Sequence, residues 1–334
     1  MAMLVSIVIP LYNRESFIKE TVDSIMNQSH RQFECIIIDD HSTDNSLPVA
    51  KKSTGNDDRF IVRKRSSDVK GASACRNEGM NMASGDFLMF LDSDDLLTEK
   101  CLEERVALFQ KSLKMDFIVT QTGIFKNDRN HVTHYWNDLS GTDDIVNFLQ
   151  GNGWQTSSTF FRTGFVRQFR YDDEAFSWQD IDFHLRVLLK EPDYVKIRDN
   201  EPHVLIRRAD SRTGIKASNK ESYFKSVEMR FQLMEKITSE MTPEQKKKYE
   251  VHVRMFYLYY LENFAITNDS LAQLNELEGL YQASYAYKIS PLLSRIFRYY
   301  LGRNNNTFIK VFRRGMRLVV PLKPLKSRAL PVRN

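Results

Sequence analysis

The sequence predicts an α/β fold with a mainly parallel sheet, and three observations carry that reading. Apolar runs of strand length, at residues 5–9, 33–38, 60–63 and 87–91, alternate with segments of helical period. The first, second and fourth runs are nearly unbroken rather than alternating, which suits strands buried on both faces. Each ends in polar or acidic residues, so the loops beyond the carboxyl ends of the strands gather chemistry along one edge.

Val5-Ser-Ile-Val-Ile9 is a β-branched first strand closed by Pro10. Leu11-Tyr12-Asn13-Arg14 breaks it, and Ile18, Val22, Ile25 and Met26 recur at helical spacing. Phe33-Glu-Cys-Ile-Ile-Ile38 is the second strand and runs into Asp39 and Asp40; Asp44 or Ser46 is placed to cap the helix that follows, with Pro48 near its first turn. A third strand is expected at 60–63, then a turn and a helix over 71–82 carrying Arg76 and Asn77. Phe87-Leu-Met-Phe-Leu91 is the central strand. Beyond it Thr98 is expected to cap a helix with Leu102, Val106, Phe109 and Leu113 on one face, and 116–120 is a further strand. Trp178, Ile181, Leu185 and Leu188 repeat at helical spacing, which puts Asp180 and Asp182 near a helix start with Asp180 facing a cleft. From about Glu221 onward the chain reads as helical.

The 334 residues are 42% hydrophobic and 27% charged, as in a soluble globular protein, and are enough for one large domain with an extension or for two domains. No apolar run approaches the roughly 18 residues of a membrane span. The N-terminus lacks the basic region and small-residue cleavage site of a signal peptide, so a cytoplasmic location is expected. Cys35, Cys75 and Cys101 form no CxxC pair and leave one unpaired in any disulfide scheme, in keeping with a reducing compartment. The net charge of +5 is uneven. Twelve Lys or Arg and no acid lie beyond Glu278, and subtracting those twelve leaves −7 on the first 278 residues.

The central strand empties into Asp92-Ser93-Asp94-Asp95. Carboxylates crowded at the end of a buried strand repel one another and lose solvation, so a cation belongs there; a hard divalent metal holding a phosphate is the simplest candidate. The alternative is a solvated Asp-rich turn that caps the next helix.

Taken together, Val5-Ser-Ile-Val-Ile-Pro-Leu-Tyr-Asn13, Ile38-Asp-Asp-His-Ser-Thr-Asp-Asn-Ser46, Ala74-Cys-Arg-Asn-Glu-Gly79 and Phe90-Leu-Asp-Ser-Asp-Asp95 resemble the four N-terminal signatures of the family 2 glycosyltransferases, which have the GT-A fold. Trp178-Gln-Asp-Ile-Asp-Phe-His-Leu-Arg186 is similar to the family's later acidic motif, usually Glu-Asp. The resemblance covers roughly residues 4–210. It implies a GT-A catalytic domain over 1–215, with 216–334 as a helical extension. It further implies that Tyr12 stacks on a nucleotide base, that Asp40 hydrogen-bonds to that base and that Asp39 supports the turn. Pro10 and Ser93 belong to the same donor site. Arg76 approaches the diphosphate, Asp92 lies near the ribose or sugar, and Asp94, with Asp92, holds Mg²⁺ or Mn²⁺. Asp180 is the general base, with Asp182 its nearest competitor.

The implied activity is inverting, non-processive transfer of a sugar from a nucleotide-sugar donor, UDP-linked by preference. The acceptor is a saccharide or a lipid-linked hydroxyl in polysaccharide or glycolipid synthesis. The other reading is a catalytically inactive nucleotide-sugar-binding or membrane adaptor protein. Gln179 stands where the family usually has Glu, which removes a charge beside the base. Asp210 stands where many relatives carry a metal-binding His. Residues 279–334 interleave cations with Leu, Ile, Phe and Val. They suit an anionic membrane surface, making the expected location peripheral on the inner membrane face, with no nucleic-acid partner.

Overall fold

The structure is a computed structural model that describes residues 3–111, 114–126, 128–136, 139–198, 201–208, 220–267, 270–285, 295–296, 298–299 and 330–331. The chain divides into two compact units. One comprises Met1–Asp144, Asn152–Ser211 and Ser327–Asn334; the other comprises Ile145–Gly151 and Arg212–Lys326.

In the first unit the chain runs β1 (Val5–Leu11), α1 (Ile18–Met26), β2 (Phe33–Asp39), α2 (Ser46–Thr54), β3 (Phe60–Lys64), α3 (Ala72–Met82), β4 (Phe87–Phe90), β5 (Leu96–Leu97), α4 (Cys101–Lys111), β6 (Phe117–Thr120), β7 (Thr122–Phe125) and β8 (His134–Tyr135). After α5 (Asp144–Leu149), most of which belongs to the second unit, come a 3₁₀ turn at Thr156–Ser158, β9 (Thr159–Arg162), α6 (Thr163–Val166), α7 (Gln179–Leu188), β10 (Tyr194–Ile197) and β11 (Val204–Arg207). The second unit carries α8 (Lys220–Glu240), α9 (Pro243–Thr267) and α10 (Leu271–Tyr285); a last short strand, β12 (Leu330–Pro331), returns to the first.

Seven strands form the main sheet in the order β10-β6-β9-β4-β1-β2-β3. β1 pairs in parallel with both β2 and β4, and β2 with β3, as expected. The chain winds from β1 outward through β2 and β3, then crosses to β4 on the other side. The gap between β1 and β4 is therefore the topological switch point, where such sheets bind ligands at their carboxyl ends. The predicted core face of α1 packs as read: Ile18, Val22 and Ile25 are buried with Ile7, Ile9 and Ile37 in one cluster.

Three expectations need correction. Pro10 does not close β1, because the strand continues to Leu11. In this parallel sheet the Val8 carbonyl accepts from Leu91 N on the β4 side, whereas the Leu11 carbonyl accepts from Asp40 N on the β2 side. Pro10 thus turns toward β4 beyond the paired stretch, which ends at Val8 opposite Phe90, and its missing N–H leaves no ladder bond unmade. Thr98 does not cap α4 through its side chain; its hydroxyl donates to the His203 carbonyl at 3.2 Å. The face of α4 is otherwise as expected, with Leu102, Val106 and Phe109 buried, while Leu113 lies outside the described residues. Trp178 is not in a helical repeat; it precedes α7 in the left-handed region at φ 69°. The main sheet is mainly parallel, as expected, with β9 inserted antiparallel between β4 and β6. A second sheet, β12-β8-β7-β11-β5, accompanies it.

Candidate active site

The acids and the aromatic singled out in the sequence do collect beyond the carboxyl ends of β1, β2 and β4. Tyr12 follows β1 directly and is 51% exposed. The loops that carry it are laced together. Asn13 N donates to Ser42 Oγ at 3.1 Å, and Asn13 Oδ1 accepts from Thr43 N at 2.9 Å. Asp39 ends β2 fully buried: Oδ2 accepts from Ser42 N at 3.2 Å, which supports the turn, while Oδ1 is buried with no hydrogen-bond partner. Asp40 is engaged on both oxygens, by Arg65 Nε at 2.6 Å and by Gly71 N at 2.9 Å. A base bonded to it must share those oxygens.

The turn after β4 is fastened by Thr21 and Arg207. Ser93 is buried and its carbonyl accepts from Thr21 Oγ1 of α1 at 3.1 Å. Arg207, at the end of β11, donates from Nε to the Asp94 carbonyl at 3.1 Å and from its backbone N to Asp95 Oδ1 at 3.0 Å. Its guanidinium is braced by Glu20 at 2.6 Å and lies over the rings of Phe17 and Phe125. Asp95 is nearly fully buried, and burial with the charges of Asp92 and Asp94 holds its pKa well above the usual carboxylate range. It serves the turn. Asp92 and Asp94 keep about a third of their side chains exposed, at 33% and 28%, and burial with the Asp92 charge also raises Asp94.

Asp92 and Asp94 offer hard carboxylate oxygens that are partly exposed, at 33% and 28%. Among the described residues no group of three or more His, Cys, Asp or Glu converges to hold an ion. The residues therefore fit an ion held by one or two carboxylates that takes its remaining ligands from phosphate and water, the usual manner of Mg²⁺. Asp210 lies outside the described residues.

Helix α3 ties this turn to the segment that carries Asp180. Ser73, Ala74, Cys75, Arg76, Asn77, Gly79 and Met80 are all buried, so tertiary packing rather than propensity holds this Ser-, Gly- and Asn-containing helix. Asn77 accepts from Tyr171 N at 2.9 Å and donates from Nδ2 to the Tyr171 carbonyl at 2.9 Å and to Asp173 Oδ1 at 2.8 Å. Arg76 is not a surface charge. It donates to Asp92 Oδ1 at 2.7 Å and to Gln179 Oε1 at 3.1 Å, and its guanidinium lies 5.1 Å from the centroid of Tyr171, which itself stacks on Phe183 at 4.1 Å. Gln179 completes the link by donating to the Ala175 carbonyl at 2.6 Å.

Asp180 sits in the first turn of α7, half-buried. Burial raises its pKa, against the lowering influence of Arg76. Among the described residues no cation is salt-bridged to it. Its carbonyl accepts from His184 Nδ1 at 2.7 Å, and burial pushes the His184 pKa down to about 4, so that ring is neutral. Asp182 is withdrawn from competition, because it is buried and bound to Arg186 at 2.5 Å. Immediately before this turn Trp178 holds a positive φ, rare for an aromatic residue and a form of strain that clusters at functional sites.

Sequence reasoning missed Arg14, Arg65, Asn77 and Arg207. Asn77 stood inside a quoted motif; nothing in the sequence pairs Arg207 with residues more than a hundred positions earlier.

The model of the family described as "Glycosyl transferase family 2" matches residues 6–175. Glycosyltransferase GlyG of Streptococcus pneumoniae serotype 4 is 29% identical over 52% of this chain, which spans 64% of that relative's length. The poly(ribitol-phosphate) beta-N-acetylglucosaminyltransferase TarP of Staphylococcus aureus is 27% identical over 79% of this chain and 88% of its own. Among solved structures, S. aureus TarS 1–349 in complex with UDP-GlcNAc aligns with a TM-score of 0.59 at 18% identity, covering 94% of this chain and 92% of that one; the likeness is one of fold.

Proposed function

The chain belongs to glycosyl transferase family 2, and from that premise we propose that it moves a sugar from a nucleoside-diphosphate donor, UDP-linked by preference, to a hydroxyl of a saccharide or lipid-linked acceptor in cell-surface polymer synthesis. The relatives' names supply the polymer class, since TarP acts on poly(ribitol-phosphate). The observation that carries the reading is the bridge Asp92–Arg76–Gln179, which joins the acidic turn after β4 to the helix start that holds Asp180.

Each residue then has a chemical task. Tyr12 offers an exposed ring for the base, and Asp39 and Asp40 shape the loop beside it. Asp94 and Asp92 would hold Mg²⁺ or Mn²⁺, which when bound neutralises charge growing on the leaving diphosphate. Asp180 takes the proton from the acceptor hydroxyl. Burial raises its pKa, which makes its carboxylate a stronger base than that of an exposed aspartate. A base that activates the acceptor for in-line displacement inverts the anomeric centre, so an α-linked donor gives a β-glycoside.

A panel of nucleotides and nucleotide sugars, tested for thermal stabilisation with and without Mn²⁺, checks the donor reading. The expected result is a rise in melting temperature for one nucleotide class that grows when Mn²⁺ is present; a ligand at a hundred times its Kd contributes about 2.7 kcal/mol. No shift with any nucleotide sugar would overturn it.

A further inference from the structure

Arg14 lies directly on the carboxylate that the metal reading assigns to the ion. Its Nε donates to Asp94 Oδ2 at 3.1 Å. The main chain of Arg14 is held where its N–H donates to Ser46 Oγ at 2.5 Å, and its side chain also donates from Nη1 to the carbonyl of Asn13, which sits at φ 49°, at 3.1 Å. The turn bearing Asp94 is fixed as well, by Arg207 and Thr21 on the carbonyls of Asp94 and Ser93. Between these two anchored main chains, the Arg14 side chain is the exposed part of the link, at 38%.

We propose that Arg14 competes with the divalent ion for Asp94, and that a nucleoside diphosphate favours the exchange by accepting the displaced guanidinium. The inference rests on the metal reading above and adds to it a coupling between ion and donor. A dication and a guanidinium on one carboxylate repel each other, most strongly when no other anion is near. A diphosphate would give both cations an anionic partner, since an ion held by Asp94 would share its charge and the planar arginine fork suits phosphate oxygens. The two ligands therefore bind cooperatively, and by linkage each raises the affinity of the other by the same factor.

Titration of the full chain with Mn²⁺, followed by the electron paramagnetic resonance signal of the free ion, tests this with and without saturating UDP. Arg14→Met keeps the apolar stem and removes the charge; Arg14→Lys keeps the charge and loses the fork. Mn²⁺ alone is expected to bind Arg14→Met about threefold or more tightly than it binds the wild type, on the scale of a partly exposed ion pair. UDP should then enhance Mn²⁺ affinity by a smaller factor in Arg14→Met. Arg14→Lys should stay near the wild type for Mn²⁺ alone, which also guards against a fold defect in the methionine variant. Unchanged or weaker Mn²⁺ binding by Arg14→Met would overturn the competition and make Arg14 a residue that merely orients Asp94. Absence of Mn²⁺ binding in every form, with UDP as well as without, would contradict the metal reading itself, and the coupling would fall with it.

Discussion

Gln179 changes meaning between sequence and structure. As a departure from a Glu-Asp motif it reads as a lost charge; in place it is an amide that accepts from Arg76 and donates to the Ala175 carbonyl at once. A glutamate could do only the first, since an ionised carboxylate has no proton to donate. The expectation for Gln179→Ala is a loss of about 1–2 kcal/mol in stability from these two bonds, read from the denaturant midpoint. Turnover should fall because the first turn of α7 is no longer held against Arg76, while the Kd for UDP is retained. Unchanged turnover would show that Asp180 needs no such support. Other side chains were legible at this scale for plain reasons. Tyr12, Asp92 and Asp94 follow directly on apolar runs, so their place at the sheet edge follows from the strand count. Asp182 stood in the sequence as the nearest competitor for the base, and its ion pair with Arg186 one turn on became visible only in the structure. The Arg14–Asp94 and Arg207–Asp94 contacts join positions about 80 and 113 apart, and no local pattern encodes them.

Among the elements, the strands with unbroken apolar runs were legible because burial on both faces leaves no polar positions to blur them. Thr159–Arg162 was missed because four residues, one of them Arg, are too few to show a period, and nothing local says that such a strand will insert antiparallel between β4 and β6. The two-residue Leu96–Leu97 is smaller still. Helix α3 is the element on which the site depends most, and Gly79 sets how closely it packs. A Cβ there would lie 2.4 Å from Cγ1 of Val8, a stiff, fully buried side chain of β1. Gly79→Ala should therefore lift α3 from the sheet, lower stability by about 1–3 kcal/mol, and reduce turnover by shifting Arg76 and Asn77. Adding Val8→Ala to make room should recover part of the turnover. A thermal melt and a turnover assay of the single and double variants check this; a silent Gly79→Ala would mean that α3 can move without cost to the site.

Across the whole molecule, charge is unevenly divided. The acidic first 278 residues carry the site, and the twelve cations beyond Glu278 lie almost entirely outside the described residues. Among the described residues no helix is long and apolar enough to cross a membrane. The proposal that the basic tail meets an anionic bilayer predicts that the full chain floats with vesicles rich in phosphatidylglycerol and not with neutral ones. Replacing Arg313, Arg314 and Arg317 by Glu should abolish flotation, since each cation near the surface contributes about 1 kcal/mol; flotation that ignores these changes would point to a helix packed elsewhere. The central claim concerns the other end of the chain: a nucleotide-sugar transferase with Asp180 as its base. Release of nucleoside diphosphate by wild type and Asp180→Asn, measured beside donor binding on the same preparations with the donor found by thermal shift and a hydroxyl acceptor, tests it most directly. The predicted result is that Asp180→Asn binds the donor within about twofold of wild type and loses turnover by at least about a hundredfold, the scale of general-base catalysis. Near-normal turnover in Asp180→Asn would contradict it.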